Sequence, residues 1–91
     1  MVKVKRLVLD VLKPHQPNGL DFACTLAEKC LDCHFKFSVL EVDEQTETII
    51  LVVEGEDIRF DIISETINAM GATVHSIDEI EVIGSHATPE S

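Results

Sequence analysis

The chain predicts an α+β sandwich, with a four-stranded antiparallel sheet in the order 4-1-3-2 and two helices on one face. Three observations lead there. Apolar residues recur at every second position in four separated segments, which is the period of a pleated strand. They recur at spacings of three and four in two intervening segments, which is the period of a helix. The resulting order is βαββαβ, and right-handed crossovers, the rule for such connections, then fix the strand order.

Strand one covers Lys3 to Lys13, where Leu7, Leu9 and Val11 alternate with Val4, Val8 and Leu12 around Asp10. Pro14 and Pro17 end it, because proline donates no ladder hydrogen bond and restricts the residue before it. Asn18, with Asp21 three residues on, has the pattern of an N-cap followed by an acidic first turn. Helix one is expected over Gly19 to Leu31, with Leu20, Cys24, Ala27 and Leu31 as its core stripe. Phe35, Phe37 and Val39 alternate in strand two, and Leu40 and Val42 then reverse the parity, implying a bulge or a strand covered on both sides. Gln45 and Thr46 connect it by a short hairpin to strand three, which Gly55 ends. Asp57 is the expected cap of helix two, whose stripe is Phe60, Ile63, Ile67 and Met70, with Gly71 at its C-terminal end. Thr73 to Val82 is strand four. One domain thus spans residues 1–83, and 84–91 is expected to be a flexible polar tail.

Strand three carries the most information about assembly. Thr48 to Val53 reads T-I-I-L-V-V, apolar at odd and even positions alike, whereas a half-exposed strand alternates apolar with polar. Two helices on one face leave the other uncovered. Val4, Val8, Leu12 and the alternate aliphatics of strand three would stay wet there, forfeiting on the order of 10 kcal/mol at ~1.5 to 3 kcal/mol per side chain. That is comparable to the whole stability of a small domain, ~5 to 15 kcal/mol. Copies of the chain are therefore expected to cover one another as a homo-oligomer.

Composition narrows the class further. Ninety-one residues make one domain, a hydrophobic content of 45% excludes disorder, and no apolar run approaches the roughly 18 residues of a membrane span. Lys3, Lys5 and Arg6 lead straight into strand one without a signal-peptide pattern, so a cytoplasmic location is expected. Three cysteines, an odd count, then imply reduced thiols. The net charge of −10 repels phosphate backbones, and there is no Tyr or Trp for base stacking, so neither nucleic acid nor membrane is an expected partner.

The topology brings Lys13, His15, Asp43, Glu44, Glu47 and His75 to one end of the sheet, with His75 within reach of Asp10 or Lys13 and Ser76 on the opposite strand face. Asp10, Lys13, His15 and His75 are the candidate ligand-binding residues, since a carboxylate that orients an imidazole is the minimal unit of a metal site or general base. The acidic segments at Glu41, Asp43 and at Asp78, Glu79 are candidate ligands for a divalent cation such as Ca²⁺, which takes six to eight oxygens, although neither has EF-hand spacing. Cys30, Cys33 and His34 spell C-x-x-C-H. Haem attachment there would need export and a large pocket, and zinc lacks an evident fourth ligand, so free thiols at a helix end are expected.

R-L-V-L-D-V-L-K-P-H at Arg6 to His15, E-V-D at Glu41 to Asp43, E-G at Glu54 and Gly55, and V-H-S-I-D-E at Val74 to Glu79 resemble an archaeal family of short proteins, domain of unknown function family 211. The likeness extends nearly to Gly84. It implies a ferredoxin-like fold, homo-oligomers that close as rings, an archaeal cytoplasm and no assigned activity. Asp10, His15, His75, Asp78 and Glu79 fall within the family's pattern, whereas Cys30 and Cys33 depart from it. The expectation is a non-enzymatic homo-oligomer that binds a small ligand or metal ion in a regulatory role. The alternatives are a divalent-metal protein using carboxylates with His15 or His75, and an enzyme using Asp10 and His75 as an acid–base pair.

Overall fold

In the computed structural model, which describes residues 1–84, the elements are β1 (Val2–Pro14), α1 (Gly19–Lys29), β2 (His34–Val42), β3 (Thr46–Glu54), α2 (Phe60–Ala69) and β4 (Thr73–Gly84). The strands form one sheet in the order β2-β3-β1-β4, which is the expected order read from the other edge, and every neighbouring pair is antiparallel. This is a ferredoxin-like α+β fold. Both helices pack on one face, where Phe22 and Leu26 of α1 and Ile63 and Ile67 of α2 meet Leu7, Leu9, Val11, Ile49, Leu51 and Val53 of the two central strands.

Helix α1 begins as expected: the Asn18 side chain accepts from the Asp21 backbone N–H at 2.8 Å, satisfying one orphan donor of the first turn. Its buried face is not the expected one. Phe22 and Leu26 are fully buried, while Leu20 and Leu31 are 74% and 85% exposed and Cys24 and Ala27 also face solvent. The two stripes lie on nearly opposite sides of the helix, and the one bearing the larger side chain wins: Phe22 stacks edge-on to Phe37 of β2, with ring centroids 5.9 Å apart. Gly19 makes room for this, since a Cβ there would meet Phe37 at 2.9 Å.

Helix α2 has the expected core, with Ile63 and Ile67 buried and Phe60 and Met70 packed beside them. Its N-cap is Arg59, without a side-chain hydrogen bond, so Asp57 stands too early to cap it. Gly71 ends the helix with φ of 87°, the left-handed conformation that glycine adopts without steric cost.

Irregularities in pairing set which side chains reach which face. β2 shifts register between Val39 and Glu41, the bulge anticipated from its parity reversal. β1 shifts against β4 between Val4 and Arg6, and Val4 consequently packs into the core beside Leu7, Leu9 and Val11 instead of lying on the uncovered face. Val8, Leu12, Ile50 and Val52 do lie on the uncovered face, cross-paired as Val8 with Val52 and Asp10 with Ile50. β4 continues through Gly84, which pairs with Val2. Of the tail expected at 84–91, Gly84 belongs to β4 and 85–91 lie outside the described residues.

Cys30 and Cys33 are joined by a disulfide, correcting the expectation of reduced thiols. A turn closed by the Cys33 N–H on the Cys30 carbonyl sets their Cα atoms 5.5 Å apart, within disulfide range. An odd count left room for one pair and one free thiol, which is Cys24.

Candidate functional site

The four candidate ligand-binding residues divide into two groups on opposite faces of the sheet. Lys13 points to the helix side and is fully buried. Its ammonium donates to the Pro14 carbonyl at 2.8 Å, to Glu47 Oε1 at 3.3 Å and to the His15 carbonyl at 3.5 Å, and stands 5.9 Å from the Phe22 ring centroid. Three donors thus meet three acceptors, as a buried charge requires. Lys13 acts as a strut, with each of its donors engaged within the chain.

His15 extends that strut into the β2–β3 turn. Its Nδ1 lies 3.1 Å from Glu47 Oε2, and its Nε2 lies 3.0 Å from the carbonyls of both Asp43 and Glu44. Only the imidazolium donates from both nitrogens. The bond to Glu47 first, then the Glu44 carbonyl, raise the His15 pKa above the ordinary histidine value, with a smaller raising contribution from Asp43. Glu47 is lowered in return, chiefly by its hydrogen bond with His15 and then by Lys13. Glu47 was the member of this cluster that sequence reasoning placed nearby without a role. Its opposition to Lys13 across β1 and β3 becomes visible only once the register is known.

Asp10 and His75 occupy the other face. With Leu12 and Thr48 they line an open depression of about 250 Å³. β4 carries its extra residue here: Asp10 pairs with Ser76 and Val11 with Val74, leaving His75 bulged between them. Register shifts at Asp78 and at His75 bring Ser76 to the face of Asp10, correcting its expected place on the opposite face, and its hydroxyl donates to Asp78 at 2.7 Å; His75 stands beside Asp10, one of the two neighbours expected for it. Among the described residues no hydrogen bond joins Asp10 to His75, although both line the depression.

The candidate cation ligands do not converge in the chain. Glu41 and Asp43 belong to the β2 edge and its turn, Asp78 and Glu79 to β4 at the opposite edge, with β3 and β1 between them. Asp78 accepts from Ser76, and Glu79 lies 3.5 Å from Arg6 Nε, which also pairs with Glu54. Among the described residues no three His, Cys, Asp or Glu side chains form a group able to hold a metal ion. A bridged Cys30–Cys33 pair likewise offers neither zinc ligands nor haem thiols.

Residues 5–90 match the model of the family described as an uncharacterised ArCR, domain of unknown function 211. The chain belongs to this family. An uncharacterised protein of Methanocaldococcus jannaschii, MJ0319, is 37% identical over 91 residues, covering 96% of this chain and 94% of its own. The family match covers β1 from Lys5 onward, the five elements that follow, the Lys13–Glu47–His15 clamp and the Asp10–His75 depression. Among the described residues no helix is long and apolar enough to cross a membrane.

Proposed function

We propose that the protein is a non-enzymatic, self-assembling binding module that takes a small ligand or metal ion in the Asp10–His75 depression. One observation carries this reading: the depression opens on the sheet face that no helix covers, beside the aliphatic band of Val8, Leu12, Ile50 and Val52. Another copy brought to this side of the molecule would shield the aliphatics and wall the depression in the same step. Asp10 offers carboxylate oxygens and His75 an imidazole nitrogen. A divalent cation bound there would take its remaining ligands from a neighbouring copy or from water. The acid–base enzyme finds less support, because among the described residues no carboxylate orients the His75 ring.

Calorimetric titration of the full chain with Ca²⁺ and with Zn²⁺, alongside native mass spectrometry of the desalted protein, tests the ligand. Micromolar binding or a retained species that disappears in both Asp10→Asn and His75→Ala is the expected result. Retention or binding that survives both substitutions places the ligand elsewhere and overturns the assignment.

A further inference from the structure

The Cys30–Cys33 disulfide belongs neither to the clamp nor to the depression. It lies at the opposite end of β3 from Thr48, where His34, the residue after Cys33, pairs with Glu54. On a chain-entropy account a disulfide stabilises a fold more, the longer the loop it closes. This one spans a sequence separation of three, inside a turn that the Cys33 N–H already closes on the Cys30 carbonyl at 3.1 Å. As a staple it joins residues that a hydrogen bond has already brought together.

We propose that Cys30 and Cys33 form a thiol–disulfide exchange site that accepts two electrons from a dithiol carrier. Both residues are half-buried, which leaves the bond within reach of a sulfur nucleophile while the chain stays folded. The two sulfurs are not equivalent. Cys33 packs against the core and is backed by Gly55 after β3, where a Cβ would stand 3.3 Å from its Sγ. Cys30 is the C-cap of α1 and lies outside that packing. The incoming thiolate therefore attacks Cys30, and Cys33 is the leaving group.

In the first step a thiolate of the carrier bonds to Cys30 Sγ, the Cys30–Cys33 bond breaks, and Cys33 departs as a thiolate. In the second, the carrier's other thiol loses its proton and attacks the carrier sulfur of the mixed disulfide, expelling Cys30 as a thiolate. The carrier is oxidised to its own disulfide, and its two thiol protons end on Cys30 and Cys33. The turn selects the class of carrier. It keeps Cys33 beside Cys30 after the first step, so Cys33 returns and expels a monothiol before a second molecule arrives, whereas a dithiol brings its second thiol with it.

Thiol counting on the full-length chain tests this. Dithiothreitol serves as a small dithiol, reduced thioredoxin as a protein dithiol and reduced glutathione as a monothiol; alkylation with mass spectrometry counts free thiols, and circular dichroism follows the fold. The parent should pass from one alkylated cysteine, Cys24, to all three in the dithiol arms, keep its spectrum, and return to one when the dithiol is replaced by its oxidised form. Glutathione should require at least about tenfold more thiol for the same effect. Faster opening by thioredoxin assigns a protein carrier, and opening by dithiothreitol that is as fast or faster assigns a small one. With oxidised glutathione, Cys33→Ser should gain an adduct on Cys30 faster than Cys30→Ser gains one on Cys33. A pair that stays closed in both dithiols, that opens only as the chain unfolds, or that is alkylated before any reduction overturns the site. Faster capture at Cys33 overturns the assignment of Cys30 as the attacked sulfur.

Discussion

Two polar groups sit within four residues of β1, on opposite faces, and the structure treats them differently. Lys13 on the helix side is buried and joined to Glu47, and through it to His15, so the clamp's donors and acceptors answer one another and it ties β1 to the β2–β3 turn. Asp10 on the uncovered side shares an open depression with His75, and no hydrogen bond joins the two. A polar cluster that closes on itself holds a fold together, while one left open keeps its capacity for something outside the chain.

Substitutions can break the comparison where it is strongest. Phe22→Ala should be the most damaging change, costing about 3 to 5 kcal/mol by urea denaturation, because it removes a fully buried ring that also contacts Lys13. Leu20→Ser on the exposed stripe of the same helix should stay within about 0.5 kcal/mol. Lys13→Ala should cost on the order of 3 kcal/mol, and Lys13→Met, which refills the space without a charge, should recover most of that. A Lys13→Ala protein as stable as the parent would contradict the clamp.

The clamp also predicts a pH dependence with a definite sign. Folding raises the His15 pKa, so its contribution is whole below the ordinary value of 6.5 and is lost as pH climbs through the folded value. Folding lowers the Glu47 pKa, so its contribution is whole above 4.5 and is lost as pH falls through the folded value. Between those limits the parent should exceed His15→Asn in urea midpoint by a constant margin that narrows on the alkaline side. A margin that widens there would reverse the assignment. The smallest effect belongs to the open group: Asp10→Asn and His75→Ala should each change stability by less than about 0.5 kcal/mol while removing ligand binding.

The fold was legible because periodicity survives without tertiary knowledge: alternation marks the strands, and the spacing of Phe60, Ile63, Ile67 and Met70 marks the core of α2. Helix α1 was harder because it carries two apolar stripes, and only packing against Phe37 decides between Phe22 with Leu26 and Leu20 with Cys24. The site was legible as a gathering of residues and illegible as geometry. Inserted residues at Asp78 and His75 move Ser76 to the face of Asp10, and one at Lys5 sends Val4 to the core, and a strand pattern read at strict period two registers none of them. Lys13 illustrates the same limit, since its face depends on a register that letters alone do not set.

Sedimentation equilibrium of the full-length parent at micromolar concentration tests the central claim, that this sheet is completed by other copies of the chain. A mass that is a multiple of the 91-residue chain is the predicted result. A folded particle with the mass of one chain would contradict it.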